Sequence, residues 1–178
     1  PLGFANNVRK GNIGLVAASG TGLQEVTTQI HRMGGGVSHA IGTGGRDVYA
    51  AVGGATMLAG IALLAKDPDT QVIAIVSKPP APEVTTKVMQ ALAAAGKPAV
   101  VLFLGSDLKS PNRQIQVAHT MVDCAALAVR LAKKADKKQV SPATQGTYAL
   151  PKKPKFTKTQ RHLRALCSGG TYCSEAQV

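Results

Sequence analysis

Tryptophan is absent from the 178-residue chain, and only three tyrosines and three phenylalanines stand in its place. In the most basic part of the chain the only aromatics are Tyr148 and Phe156, too sparse for a platform on which nucleic-acid bases could stack. Cysteine is scarce as well. Cys124, Cys167 and Cys173 form an odd set with no CxxC spacing, which argues against a disulfide framework and against a zinc-type site, so no metal is expected. No apolar run reaches the roughly 18 residues of a membrane span. The opening PLGFANN has neither a basic n-region nor an apolar h-region. These absences read as a soluble, cytoplasmic protein without a membrane partner. Acidic residues are also few, nine against 21 basic ones, but the imbalance is local. Residues 130–164 hold 11 of the basic residues and one of the acidic, in a Pro-, Thr- and Lys-rich stretch without apolar periodicity. That stretch reads as an exposed linker rather than a nucleic-acid surface.

What is present is a chain 44% hydrophobic, dominated by Ala, Val, Leu and Ile, enough for a packed core of sheet and helix. Its pattern alternates. NIGLVAA (12–18) is a β-rich run followed by a Gly-rich turn, and Leu23, Val26, Ile30 and Met33 then recur at helical spacing over 23–33. The same grammar repeats as strand 37–42 and helix 55–67, strand 71–77 and helix 83–96, strand 98–105, and strand 115–120 with helix 121–135. Short apolar strands alternating with helices imply a mostly parallel five-stranded sheet covered on both faces.

Ligands of such sheets bind at the carboxyl ends of the strands. Here those ends carry SGTG (19–22), GTGGRD (42–47), SKPPAP (77–82) and GSDLKSPNR (105–113), predicted to line one rim. In Ser19-Gly20-Thr21 the free N–H groups of a helix start face outward, which suits an anion; a plain turn with a Thr cap is the alternative. Gly44-Gly45-Arg46 offers a second Gly-rich loop, with Arg46 able to clamp an oxyanion or, equally, to pair with Asp47. Lys78, before two prolines, is the candidate catalytic cation, against the plain reading of a surface lysine at a strand end. Glu25, one turn after Thr21, is placed to bond back to the turn or to a neighbour. The tail ALCSGGTYCSEA (165–176) repeats the opening grammar, with Thr171 and Glu175 spaced as Thr21 and Glu25 are.

GNIGLVAASGTGLQEVTTQI, SHAIGTGGRDV, VSKPPAPEV and GKPAVVLFLG resemble the FdrA-type proteins, relatives of the succinyl-CoA synthetase α subunit, over about residues 1–135. The resemblance implies a flavodoxin-like three-layer sandwich of the ligase-domain type at 1–135, a basic Pro/Lys-rich linker at 136–161, and the truncated start of a second ligase-type domain at 162–178. It further implies a fragment whose Rossmann domain and second ligase domain lie elsewhere, with partner subunits. CoA and possibly ATP belong to the full enzyme and no cofactor to this piece. In the synthetase the Ser-Gly-Thr turn holds the phosphate of a phosphohistidine, a role carried here to Ser19, Gly20 and Thr21. Two departures follow from the match. Lys78 stands where the synthetase has a glutamate, and the loop 106–114 contains no histidine. The implied activity is therefore binding of a phosphate, acyl phosphate or carbamoyl phosphate for acyl or oxamate-type carbamoyl transfer, without a histidine relay. A succinate-CoA-ligase-like subunit and a non-catalytic assembly domain are the alternatives.

Overall fold

A computed structural model describes residues 6–135, 159, 162 and 164–177. The chain opens with β1 (Lys10–Ala17), whose last five residues are buried. Ser19 follows in extended backbone, and its hydroxyl accepts a hydrogen bond from the Gly22 N–H at 2.9 Å. That cap starts α1 (Gly20–Arg32) three residues before the apolar periodicity does. The glycines read from sequence as a loop are thus the first helical turn, and the cap is Ser19 rather than Thr21.

The remaining elements are β2 (Val37–Gly42), α2 (Ala55–Lys66), β3 (Val72–Ser77), α3 (Pro82–Ala94), β4 (Ala99–Phe103), β5 (Ile115–Ala118), α4 (Met121–Ala135) and α5 (Gly170–Glu175). Pro82 opens α3 because its fixed φ and missing N–H cost nothing in a first turn. The strands form one sheet in the order β2-β1-β3-β4-β5, every pair parallel. The expected α/β sandwich is present, with the sheet wholly rather than mostly parallel. Leu15 sits opposite both Ala40 and Ala74, and Val101 opposite both Ile75 and Val117.

Both faces of the sheet are covered, which is why β3 and β4 are continuous apolar runs rather than alternating ones. On one side Leu15, Val76 and Leu102 pack with Val26 and Ile30 of α1 and Met121 and Cys124 of α4. On the other Val16, Ile75 and Phe103 pack with Ile61 and Leu64 of α2 and Val88 and Leu92 of α3. Each fully buried aliphatic side chain contributes about 1.5–3 kcal/mol. The exposed Lys10–Asp69 ion pair at 3.7 Å is worth at most about 1 kcal/mol, so packing decides this fold. The linker assigned to 136–161 lies outside the described residues apart from Thr159.

Strand order fixes where a ligand can enter. The chain leaves β1 for β2 on one side and returns to β3 on the other, so the connections diverge at the carboxyl ends of β1 and β3. The crevice between them is the topological switch point of an open parallel sheet.

Candidate functional site

A cavity of about 790 Å³ occupies that crevice. The turn after β1 gives it Ser19, Gly20 and Thr21, the loop after β2 gives it Gly45, Val48 and Tyr49, and the end of β3 gives it Ser77 and Lys78. Five of the residues singled out from sequence, Ser19, Gly20, Thr21, Gly45 and Lys78, therefore share one space. Gly44 and Arg46 are exposed on the same loop but do not line it.

The first N–H groups of α1 have no carbonyl one turn earlier to bond to, and the helix dipole adds partial positive charge there. Gly22 N–H is satisfied by Ser19, which leaves Gly20 and Thr21 as the outward donors. A Cβ added at Gly20 would meet nothing within 4 Å, so space is open beside that residue. Lys78 is exposed and makes no ion pair among the described residues. An ammonium without an ion-pair partner among the described residues and a helix N-terminus thus line one cavity, and groups of both kinds favour negative charge.

Ser77 was not singled out from sequence. It is 1% exposed, and its hydroxyl has no hydrogen-bond partner among the described residues. Leaving a buried hydroxyl unpaired costs on the order of 1–3 kcal/mol. The available signal was a serine ending the otherwise apolar strand VIAIVS at the carboxyl edge.

The loop after β2 is held by Asp47, not by an Arg46–Asp47 pair. Asp47 is buried, and its two carboxylate oxygens accept from the N–H groups of Thr56 and Met57, each at 2.8 Å. The N-cap of α2 is Gly54, at φ 76°, which has no side chain to cap with. Asp47, nine residues before Thr56, supplies the cap and so fixes the cavity wall that Gly45, Val48 and Tyr49 form. Arg46 makes no ion pair among the described residues.

The tail docks on the same rim. Thr171, buried at the start of α5, shares a short hydrogen bond with the Ser19 hydroxyl. Tyr172 donates to Glu25 Oε2 at 2.9 Å, and Glu175 Oε1 accepts from the Met121 N–H at 2.6 Å. Burial raises the Tyr172 phenol above the ordinary tyrosine range, and the Glu25 carboxylate adds to the effect. Glu25 is thereby a structural acceptor, which also takes a bond from Gln29 at 2.7 Å. Ser168, Gly169, Gly170 and Thr171 complete the cavity.

A second cavity, of about 780 Å³, lies between the loop after β4 and the end of β5, where Ser106, Asp107, Lys109 and His119 line it. The GSDLKSPNR loop thus opens on its own space rather than on the crevice. His31 is tied by its Nδ1 to the Arg9 N–H at 3.0 Å, His39 lies 3.3 Å from Asp67, and His162 is exposed. None of the four histidines lines the cavity at the switch point.

Comparison with known proteins adds three findings. The family model described as CoA binding domain matches residues 8–105. The uncharacterized protein YahF of Escherichia coli (strain K12) is 43% identical over 176 residues, covering 98% of this chain and 34% of YahF. The chain therefore spans about a third of that relative's length. The crystal structure of PH0766 from Pyrococcus horikoshii OT3 is similar in fold, with a TM-score of 0.52 at 13% identity, over 72% of this chain and 36% of that one.

Proposed function

The chain belongs to the CoA binding domain family, and from that premise we propose that it is the anion-holding part of an FdrA-type, acyl-CoA synthetase-like enzyme. It binds phosphate, or an acyl or carbamoyl phosphate, at the rim between β1 and β3 for acyl or carbamoyl transfer. The observation that carries this reading is the meeting of the α1 N-terminus and the Lys78 ammonium in one cavity.

The donor set fits a phosphate group, which CoA also carries. Gly20, Thr21 and Lys78 would hold it, and CoA when bound supplies the thiol that accepts an acyl group. The residues here bind and orient. The N–H groups of Gly20 and Thr21 donate to phosphate oxygens, and Lys78 neutralises their charge. Lys78, as a cation, holds an anion rather than taking a proton. No step in this reading passes through a histidine. The family supports an acyl-CoA synthetase-like setting at a coarse level, and in this reading further domains or subunits contribute the acyl acceptor and, where it is used, ATP.

Isothermal titration with inorganic phosphate, acetyl phosphate and carbamoyl phosphate tests the reading. The chain should bind at least one of them, and Lys78→Ala should weaken that binding about tenfold or more, as loss of a charge-assisted bond does. Absence of binding by the wild-type chain, or equal binding by the variant, would overturn it.

A further inference from the structure

Ser77 distinguishes this cavity from a plain phosphate cradle. Ile73, Ile75 and Ser77 alternate along β3, and both isoleucines pack in the layer of α2 and α3. Ser77 continues that row to the cavity, beside Ala18 and Val48 of the same layer. Its backbone is fixed, since it pairs with Phe103 and its carbonyl accepts from the Leu104 N–H at 3.0 Å. The result is a buried hydroxyl on a fixed strand, without a hydrogen-bond partner among the described residues, at a cavity that Ala18, Val48 and Lys78 also line. Most buried hydroxyls find a partner in the fold; Thr43 and Ser106 share this condition with Ser77, but neither lines this cavity.

We infer that Ser77 is a specificity-determining residue that donates a hydrogen bond to the acyl carbonyl oxygen of a bound acyl phosphate. The inference rests on the anion site proposed above and names the part of the ligand that site would otherwise ignore. The phosphate oxygens meet Gly20, Thr21 and Lys78. A buried neutral carbonyl needs one donor and an apolar surround. Ser77 with Ala18 and Val48 offers that combination, and inorganic phosphate has no carbonyl with which to use it.

The experiment compares acetyl phosphate with inorganic phosphate in competition binding to the wild-type chain, Ser77→Ala and Lys78→Ala. Ser77→Ala removes one buried atom with no hydrogen-bond partner among the described residues, so the variant should fold, and its melting temperature checks this. The wild-type chain should prefer acetyl phosphate. Ser77→Ala should lose about five- to tenfold on acetyl phosphate and stay within about twofold on inorganic phosphate, the loss expected for one neutral hydrogen bond. Lys78→Ala should lose both. A preference unchanged in Ser77→Ala, or both ligands weakened equally, would overturn the assignment of Ser77 while leaving the anion site standing. Failure of the wild-type chain to bind either ligand would overturn the anion site and this inference together.

Discussion

Asp47 illustrates how a residue next to a candidate site can matter without touching a ligand. Its carboxylate is the cap that Gly54 cannot provide. Replacing it with Ala should destabilise the fold by about 1–3 kcal/mol, measurable by urea titration. Arg46→Ala, with no ion pair to lose among the described residues, should change stability by less than about 0.5 kcal/mol. Cysteine reactivity separates in the same way. Burial pushes the Cys124 thiol up to about 12, with Asp123 adding to the shift, while Cys167 and Cys173 are exposed. Native alkylation followed by mass spectrometry should therefore label the two exposed thiols promptly and Cys124 only after unfolding. Asp67 gives a pH dependence. The Thr70 hydroxyl, first among several influences, lowers its carboxyl below the ordinary 3.8. A depressed folded-state value means stabilisation fully present above the unfolded value and lost as pH falls through the folded one. Acid titration of stability should fall more gently below about pH 4 in Asp67→Asn than in the wild-type chain. Ser19, Thr21 and Lys78 were legible as candidates because their residue types carry chemistry. Ser77 was not, because a serine at a strand end becomes notable only once its burial and missing partner are known.

Among the elements, the helices were legible to within a few residues, and the exceptions have local causes. The glycines of SGTG suggested a loop, but the Ser19 cap draws Gly20 to Gly22 into α1. The repeated grammar of the tail was visible in sequence, whereas its docking was not, because side-chain contacts 147 and 152 residues apart leave no local signal. The docking depends on Gly169. A Cβ there would stand 2.6 Å from Thr21 Cγ2, whereas one at Gly170 would meet only the flexible end of Lys78, its Nζ 3.2 Å away. Gly169→Ala should therefore release α5 from the rim, seen as faster amide exchange at Thr171 to Glu175, while the sheet keeps its protection. The raised Tyr172 phenol gives the same contact a pH signature. The protonated phenol holds Glu25 below the ordinary tyrosine value of 10.0 and lets go as pH rises through the higher folded value. Exchange at α5, after correction for the base-catalysed rise common to all amides, should accordingly accelerate as Tyr172 ionises.

Across the molecule, the fold class followed from alternation of short apolar runs with helical periods, which only a covered parallel sheet satisfies. Strand order was not readable from these periods, because β2 and β3 could each have paired on either side of β1. The order β2-β1-β3-β4-β5 is what brings Ser19 to Thr21 and Lys78, nearly 60 positions apart in the chain, to one crevice. The same order sends the loop after β4 to a separate cavity, so the four carboxyl-end loops form two spaces rather than one continuous rim. Whether the crevice at the switch point holds an anion is reported most directly by backbone amide shifts. On titration with inorganic phosphate, the amide resonances of Gly20 and Thr21 should move in a saturable way, with the midpoint raised about tenfold or more in Lys78→Ala. Shifts confined to Gly105 to Ser110, or no saturable shift at all, would contradict the account.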